Sequence, residues 1–394
     1  MIKLAIIGIV VALLYVGTPQ RSAPDPSTTA ADTVEGSWIG EFRTHRWQDV
    51  SETLWISLRA RTDRDRHGYS FHVLLKDLDG LSIAPGTTDA SEVTFSLPRQ
   101  AGRFVFEGRF KRDTGSGSFT FTTSDAYVRA MDDLGYDGLT TDDVFMLAIH
   151  DVTTDFIEEL RMLGYANLPF DDLVAMTIHG ATPEFIREMQ ALGYDGLDPD
   201  ELIAMRIHGV SPKFVRALNE LGYDDVDPDD LVAMRIHGVS PDFIEELRAQ
   251  GYGRFSIDKL TSMRIHGVSP DFMRAVADLG FQNASIDDLT AMRIHGVTEE
   301  YIEAVVALGY TRPSLDRLVE MRIHGVSPRY MRDLADLGYE NVPLNKLIEM
   351  RVHGVSLGYV RELREAGYQP SVGKLIEMKI HGISPDFVKA LKDN

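Results

Sequence analysis

The sequence contains no cysteine, so the protein forms no disulfide bonds, uses no thiol in catalysis and carries no lipid on an N-terminal cysteine. It also lacks the patterns of common catalytic sites: there is no glycine-rich phosphate loop, no Gly-x-Ser-x-Gly and no His-Glu-x-x-His. The recurring carboxylates stand where helices begin, and helix capping explains them. These absences predict a protein that is not an enzyme and that binds no cofactor.

Positive charge is also scarce, and the shortage lies in one part of the chain. Lys and Arg number 40 against 60 Asp and Glu, which gives a formal net charge of −20. Residues 1–123 contain 14 residues of each sign, so the whole acidic excess belongs to residues 124–394. Because binding to nucleic acid depends on Lys and Arg displacing counterions from phosphates, we expect no nucleic-acid partner. The charge favours a basic protein or peptide instead.

A long apolar run is missing as well, because the only candidate, Leu4–Val16, is short for a membrane span of about 20 residues. Its length and the preceding Lys3 are typical of a signal peptide, so residues 1–17 are predicted to direct export to the periplasm or cell envelope. No clear small-x-small cleavage site follows, and an uncleaved anchor formed by residues 4–16 stays open as the only membrane contact. Residues 18–33 are predicted to be a flexible linker.

Residues 34–123 alternate apolar and polar side chains in six short runs, which predicts an antiparallel β module. The runs are 37–42, 54–58, 69–75, 93–97, 102–109 and 115–123, with turns at Asp79-Gly80, Pro85-Gly86 and Thr114-Gly115. Ninety residues of this kind fit a small barrel or sandwich. Trp38-x-Gly40-x-Phe42 resembles the first strand of small lipid-carrying barrels, which leaves a carrier function open.

Residues 124–394 repeat one pattern nine times, with seven histidine intervals of 29 residues and a last one of 28. Each copy predicts two helices of about ten residues, as in a helix-turn-helix unit. One begins at Ser240-Pro241 and ends at Gly251; the other begins at an Asp cap such as Asp229 and ends at Gly238. Such helices are stable only against neighbours, so the copies predict a two-layered α-solenoid. The fold class is therefore α+β and multidomain.

The helix that ends at Gly238 is predicted to be buried on more than one side. Its apolar residues Leu231, Val232, Met234 and Ile236 point in several directions, which leaves mainly Arg235 and the cap aspartates for solvent. Gly238 and the equivalent Gly267 are predicted to be structural glycines that stop the helices in a left-handed conformation.

The repeated histidines are predicted to be structural and not metal ligands. Stacked helices lie about 8–10 Å apart, whereas each zinc ligand must come within about 2 Å of the ion. Each ring stands at a last helical turn, where it can bond a terminal carbonyl or interact with the helix dipole. The isolated His45, His67 and His72 of the β module match no metal signature either. The structural caps after the first copy are His179, His208, His237, His266, His295, His324, His353 and His381.

A row of cations precedes these histidines by two positions and is the candidate partner-binding site. One interpretation pairs each cation with cap carboxylates of adjacent copies, and the other gives it direct contact with a partner. Lys379 continues the row, whereas Ala148 and Thr177 stand in the first two copies. The arginines are Arg206, Arg235, Arg264, Arg293, Arg322 and Arg351.

Leu-Gly-Tyr followed by Asp-Leu-x-x-Met-Arg-Ile-His-Gly-Val-Ser-Pro-x-Phe resembles repeats of exported bacterial proteins, including the repeat tails of membrane metallopeptidases of the β-lactam-sensor type. The resemblance covers residues 124–394 and extends to the β module. It implies an exported protein but no catalytic residue, since the His-Glu-x-x-His of a peptidase is absent.

Three functions follow from these patterns. The first is a non-catalytic cell-envelope scaffold or sensor accessory that binds a protein or peptide through the α-solenoid surface. The second is a carrier of a small apolar ligand or glycan in the β module, with the repeats as a spacer. The third is a purely structural spacer.

Overall fold

The computed structural model describes residues 33–42, 53–60, 68–83, 88–311 and 313–392. The predicted signal peptide or anchor, the linker up to residue 32, His45, His67 and the Pro85-Gly86 turn lie outside these residues. The chain divides into two compact units, Met1–Arg216 and Ala217–Asn394. Among the described helices, none has the length and apolar character needed to cross a membrane.

Six antiparallel strands form one sheet in the first unit, which confirms the β module. They are β1 (Thr33–Phe42), β2 (Thr53–Ala60), β3 (Gly68–Leu74), β4 (Ser91–Arg99), β5 (Gly102–Lys111) and β6 (Thr114–Thr123). The strand order is β3-β2-β1-β6-β5-β4, with every neighbouring pair antiparallel.

The described strands form neither the barrel nor the sandwich that we predicted, because they make one open sheet with β3 and β4 at its two edges. A helix covers the inner face instead. This helix, Thr141–Ile149, packs against β1, β5 and β6 and inserts Phe145 among the rings of the sheet. The Phe145 ring stacks on Phe119 at 6.0 Å with an interplanar angle of 7°. The sheet therefore buries its apolar face against the start of the helical region.

Aromatic rings fill this core. Trp38 meets Phe95 edge-on at 5.3 Å, and its Nε1 donates to the carbonyl of Glu107 at 3.2 Å. A Cβ on Gly115 would lie 2.6 Å from the Phe110 ring, so this glycine allows the ring to lie against the strand. The fully buried rings of the module are Trp38, Phe95, Phe104, Phe106, Phe110, Phe119 and Phe121.

Nineteen short helices follow in the described residues, which agrees with the predicted helical repeats at the level of helix pairs. They are α1 (Asp125–Asp133), α2 (Thr141–Ile149), α3 (Thr154–Met162), α4 (Phe170–His179), α5 (Pro183–Gln190), α6 (Pro199–Ile207), α7 (Pro212–Glu220), α8 (Pro228–Ile236), α9 (Pro241–Ala249), α10 (Ile257–Ile265), α11 (Pro270–Asp278), α12 (Ile286–His295), α13 (Glu299–Ala307), α14 (Leu315–Ile323), α15 (Pro328–Asp336), α16 (Leu344–Val352), α17 (Leu357–Glu365), α18 (Val372–Ile380) and α19 (Pro385–Lys392).

The helix boundaries follow from capping residues. At α9 the Ser240 hydroxyl accepts from the backbone N–H of Phe243 at 3.2 Å, and Pro241 occupies the first helical position. At the end of α8, Gly238 has φ +72 and its N–H donates to Arg235 O. The buried Val239 donates to Met234 O at 2.8 Å, which completes a Schellman motif. Gly238 thus follows the end of α8 in the left-handed conformation, and Gly267 has the same conformation after α10.

The even-numbered helices of the second unit pack against one another in chain order, from α8 to α18. Odd-numbered helices pack in the same manner, as α13 does on α15 and α15 on α17. Tyrosine hydroxyls join the two sets: Tyr301 on α13 donates to Val326 O after α14 at 2.8 Å, and Tyr310 donates to Val342 O before α16 at 2.7 Å. The first contact recurs at Tyr330 and Tyr359, and the second at Tyr223 and Tyr339.

Candidate protein-interaction surface

The isoleucine or valine that precedes the repeated histidine is exposed in every copy after the first, which contradicts the predicted burial of Ile236. Ile236 follows Asp229 by seven residues, or two helical turns, so it lies on the same outward face as that aspartate. The hydrophobicity of Ile236 alone does not indicate that it is exposed, but its seven-residue spacing from Asp229 does. We call the following residues the isoleucine row; their exposed fractions run from 38% to 55%: Ile178, Ile207, Ile236, Ile265, Ile294, Ile323, Val352 and Ile380.

The first copy lacks this exposed side chain. Its equivalent residue, Ile149 at the end of α2, is buried in the first unit, where α2 packs on the sheet. The next residue but one, Asp151, has φ +55 where the other copies have glycine, and Arg99 pairs with its carboxylate at 2.9 Å. The exposed row therefore begins with the second even-numbered helix that follows the sheet, at Ile178.

The candidate partner-binding arginines lie on aromatic rings of the preceding helix. The guanidinium carbon of Arg293 is 4.1 Å from the centre of the Phe272 ring, and Lys379 Nζ is 4.5 Å from that of Tyr359. Cation–π contacts of this kind stabilise by about 0.5–2 kcal/mol. The same stacking, at 5.0 to 5.1 Å, joins Arg206 to Phe185, Arg264 to Phe243, Arg322 to Tyr301 and Arg351 to Tyr330. Arg235 occupies the equivalent position on α8 and is exposed.

Two of these arginines also reach the C-terminal end of the neighbouring even-numbered helix. Arg293 Nε donates to Gly267 O at 2.8 Å, and Arg322 Nε donates to His295 O at 3.3 Å. A cation at this end compensates the negative pole of the helix dipole. The arginines that contact these rings and carbonyls therefore have structural partners other than the cap carboxylates of the first interpretation.

The histidines that end the even-numbered helices lie beside the isoleucine row. His266, His295, His324, His353 and His381 are exposed, whereas His208 and His237 are half-buried. Burial lowers the pKa of His179 and of His208. Among the described side chains, no ring nitrogen of these histidines hydrogen-bonds a terminal carbonyl, so a ring–carbonyl cap is not formed there. Their structural role through the helix dipole stays a prediction.

The tyrosines that hold the odd-numbered helices to their neighbours have altered acidity. Burial raises the pKa of Tyr301 and of Tyr330 to about 12, although a nearby arginine lowers each in part. Each hydroxyl donates to the carbonyl of the valine that follows the next helix; for Tyr330 the acceptor is Val355 O at 2.9 Å. These hydroxyls stay protonated at neutral pH, so they serve as structural hydrogen-bond donors.

The described residues contain no group of three or more His, Asp or Glu side chains placed to hold a metal ion. His72, on the edge strand β3, is exposed. The inner face of the sheet is occupied by the buried rings listed above and by Phe145. An exposed apolar row flanked by charged groups can bury surface against another macromolecule.

Comparison with known proteins adds no relative: no protein-family model matches the chain, and no curated protein matches it.

Proposed function

We propose that this protein is a non-catalytic scaffold or sensor accessory of the cell envelope, which binds a protein or peptide through the outer face of its even-numbered helices. The observation that supports the proposal is the isoleucine row. Eight β-branched side chains at one repeated position expose 38% to 55% of their surface, and the second unit holds six of them on helices that pack side by side. Repeated exposed apolar side chains mark interaction sites.

The proposal includes a two-layered α-solenoid of nine helix-turn-helix units. Its support is the 28- to 29-residue histidine spacing together with the contacts that recur at that spacing, such as Arg322 on Tyr301 and Arg351 on Tyr330. Repeat arrays of this kind present long binding surfaces. Export to the periplasm or envelope is proposed from Lys3 and the run Leu4–Val16.

The carrier function has less support. A carrier needs an unfilled interior, and the inner face of the sheet is instead packed with rings such as Phe95 and Phe106, stacked at 4.7 Å. A purely structural spacer would not need eight exposed apolar residues at one position, because each lowers solubility without adding to the core.

The full-length protein, coupled to beads, tests the proposal when three forms are compared on envelope extracts. The first is unaltered, the second carries Ile265→Ser, Ile294→Ser and Ile323→Ser, and the third carries the matched control changes Met162→Ser and Val306→Ser, which remove exposed apolar side chains outside the row. We expect one protein to be retained by the first and third forms and lost from the second. That protein, once purified, should bind the same two forms directly.

Retention of nothing, or equal retention by all three forms, would reject the proposed binding surface. The circular dichroism spectrum and melting temperature of each form show whether the second form lost binding through unfolding.

A further inference from the structure

The outer face of α8, α10 and α12 has an apolar edge and an acidic edge with small side chains between them, and we call this strip the trough. Ile236, Ile265 and Ile294 form the apolar edge, near the C-terminal ends of the helices. Each helix carries an exposed aspartate at its second residue, seven positions before the isoleucine, and these three are called the acidic edge: Asp229, Asp258 and Asp287. The small half-buried side chains of Ala233, Ser262 and Ala291 lie between the edges.

The width of the trough suits an α-helix. Seven residues span about 10.5 Å along a helix, and a helix with its side chains is about 10–12 Å in diameter. Three stacked helices at about 8–10 Å spacing extend for roughly 16–20 Å, which is the length of about 11–13 helical residues. A helix laid across α8, α10 and α12 would thus contact both edges at once.

The charge at one edge selects a basic partner. The first turns of these helices hold five carboxylates, from Asp229, Asp230, Asp258, Asp287 and Asp288, against the single ammonium of Lys259. Lys259 pairs with Asp287, whose side chain remains 85% exposed. A helix with Lys or Arg along one flank would therefore gain favourable charge pairs on the side away from the isoleucines.

The next three even-numbered helices lack this trough. In α14, α16 and α18 the position equivalent to Ser262 is occupied by a glutamate that pairs with a cation three residues earlier. The glutamates are Glu320, Glu349 and Glu377, and the pairs measure 2.5, 2.5 and 3.0 Å. These helices also carry fewer carboxylates at the positions of the acidic edge, which are occupied by Asp316, Asn345 and Gly373. The isoleucine row continues, so these helices provide a matched control within the same chain.

We propose that the partner segment is a basic amphipathic helix that lies across α8, α10 and α12, with its apolar stripe on Ile236, Ile265 and Ile294 and its basic flank on the acidic edge. This rests on the proposed binding function and adds the chemistry and position of the bound segment.

The test uses the full-length protein and a fluorescent synthetic helix of about 18 residues, five turns, made of Leu and Lys in an amphipathic order. Fluorescence anisotropy at about 0.15 M salt measures its affinity. The triple change Ile236→Ser, Ile265→Ser, Ile294→Ser should weaken binding by about tenfold or more. The matched control Ile323→Ser, Val352→Ser, Ile380→Ser should change the affinity by less than about twofold.

Two further variants test the charge and the trough. Asp229→Asn, Asp258→Asn and Asp287→Asn together should weaken binding and reduce its salt dependence, whereas the first-turn changes Asp242→Asn, Asp271→Asn and Asp386→Asn on the odd-numbered helices should not. The single change Ser262→Glu places a carboxylate three residues after Lys259, as Glu349 follows Lys346, so the helix should remain folded while the trough is filled. It should lower the affinity.

Equal binding of a Leu/Glu helix, equal losses from the matched control variants, or no binding of the Leu/Lys helix would each overturn this inference. If envelope extracts still yield a partner that depends on the isoleucine row, the proposed function stands and only the basic helix is wrong.

Discussion

Arg293 joins three consecutive helices: its guanidinium carbon lies 4.1 Å from the centre of the Phe272 ring on α11, while its Nε donates to Gly267 O at the end of α10. A single side chain on α12 thus stacks on one neighbour and satisfies the terminal carbonyl of the other. Gly267 has φ +72, the left-handed backbone conformation in which a glycine commonly ends an α-helix.

Arg293→Gln removes both contacts, and we expect the free energy of unfolding to fall by about 1–2 kcal/mol. Urea denaturation followed by circular dichroism measures the change. Arg274→Gln is the control, because Arg274 forms a surface ion pair with Asp271 and its loss should change stability by less than about 0.5 kcal/mol. If Arg293→Gln instead preserves stability and abolishes partner binding, the arginine row contacts the partner directly.

Tyr330→Phe should reduce stability by about 1 kcal/mol, because Val355 O loses a buried hydrogen bond of 2.9 Å. This difference in stability between the two proteins should disappear at alkaline pH. The pKa of this hydroxyl is raised from 10.0 to about 12 by burial, so the folded state holds its proton more firmly than the unfolded state does. That stability is fully present below pH 10 and is lost as the pH rises towards 12. Urea midpoints of both proteins at pH 8, 10 and 11.5 should converge with rising pH; a constant gap would contradict the assignment.

Ile236→Ser should leave the free energy of unfolding within about 0.5 kcal/mol of the unaltered protein, because the side chain is already 43% exposed. Ile244→Ser, eight residues later, should cost about 3 kcal/mol or more, since that side chain is 2% exposed and a hydroxyl would be buried in its place. Thermal denaturation of the two variants compares an outward position with a core position. Similar losses from both would mean that the isoleucine row is part of the core.

Phe145→Ala should destabilise the sheet by about 3–5 kcal/mol, because its ring stacks on Phe119 and meets Phe121 edge-on at 5.4 Å. For the same reason a fragment of residues 33–123 should lack a stable fold, whereas a fragment that continues to residue 153 should be more stable. Tryptophan fluorescence, to which Trp38 buried beside Phe95 contributes, reports on both when the change is followed through urea denaturation. A stable, cooperatively folded 33–123 fragment would show that α2 is dispensable to the sheet.

The helix boundaries could be predicted from the sequence because each depends on a local contact. Ser240 caps a helix whose first residue is Pro241, and Gly238 supplies a conformation that other residues adopt at a cost. The six strands were also predictable, since alternation of side chains is local.

The open edges of the sheet could not be predicted, because whether β3 meets β4 depends on pairing between distant segments. The place of Phe145 in the core could not be predicted, because apolar residues such as Val174 and Val232 hold the same position in copies that do not cover the sheet. Ile236 was assigned to the core because it is apolar, although apolar residues also occur widely on protein surfaces. The contact of Arg293 with Phe272 joins residues 21 positions apart on different helices, so no local pattern indicates it.

The turn after Tyr368 is one residue shorter than the corresponding turn after Tyr339, and the contacts around it survive. Tyr339 donates to Pro370 O at 2.9 Å over 31 residues, where Tyr310 spans 32, and Lys379 still covers the Tyr359 ring. The number of residues in the turn therefore does not determine the contact between the helices that it connects. This turn loses one residue while the tyrosine hydrogen bond across it is kept, so its length is not what aligns the helices on either side.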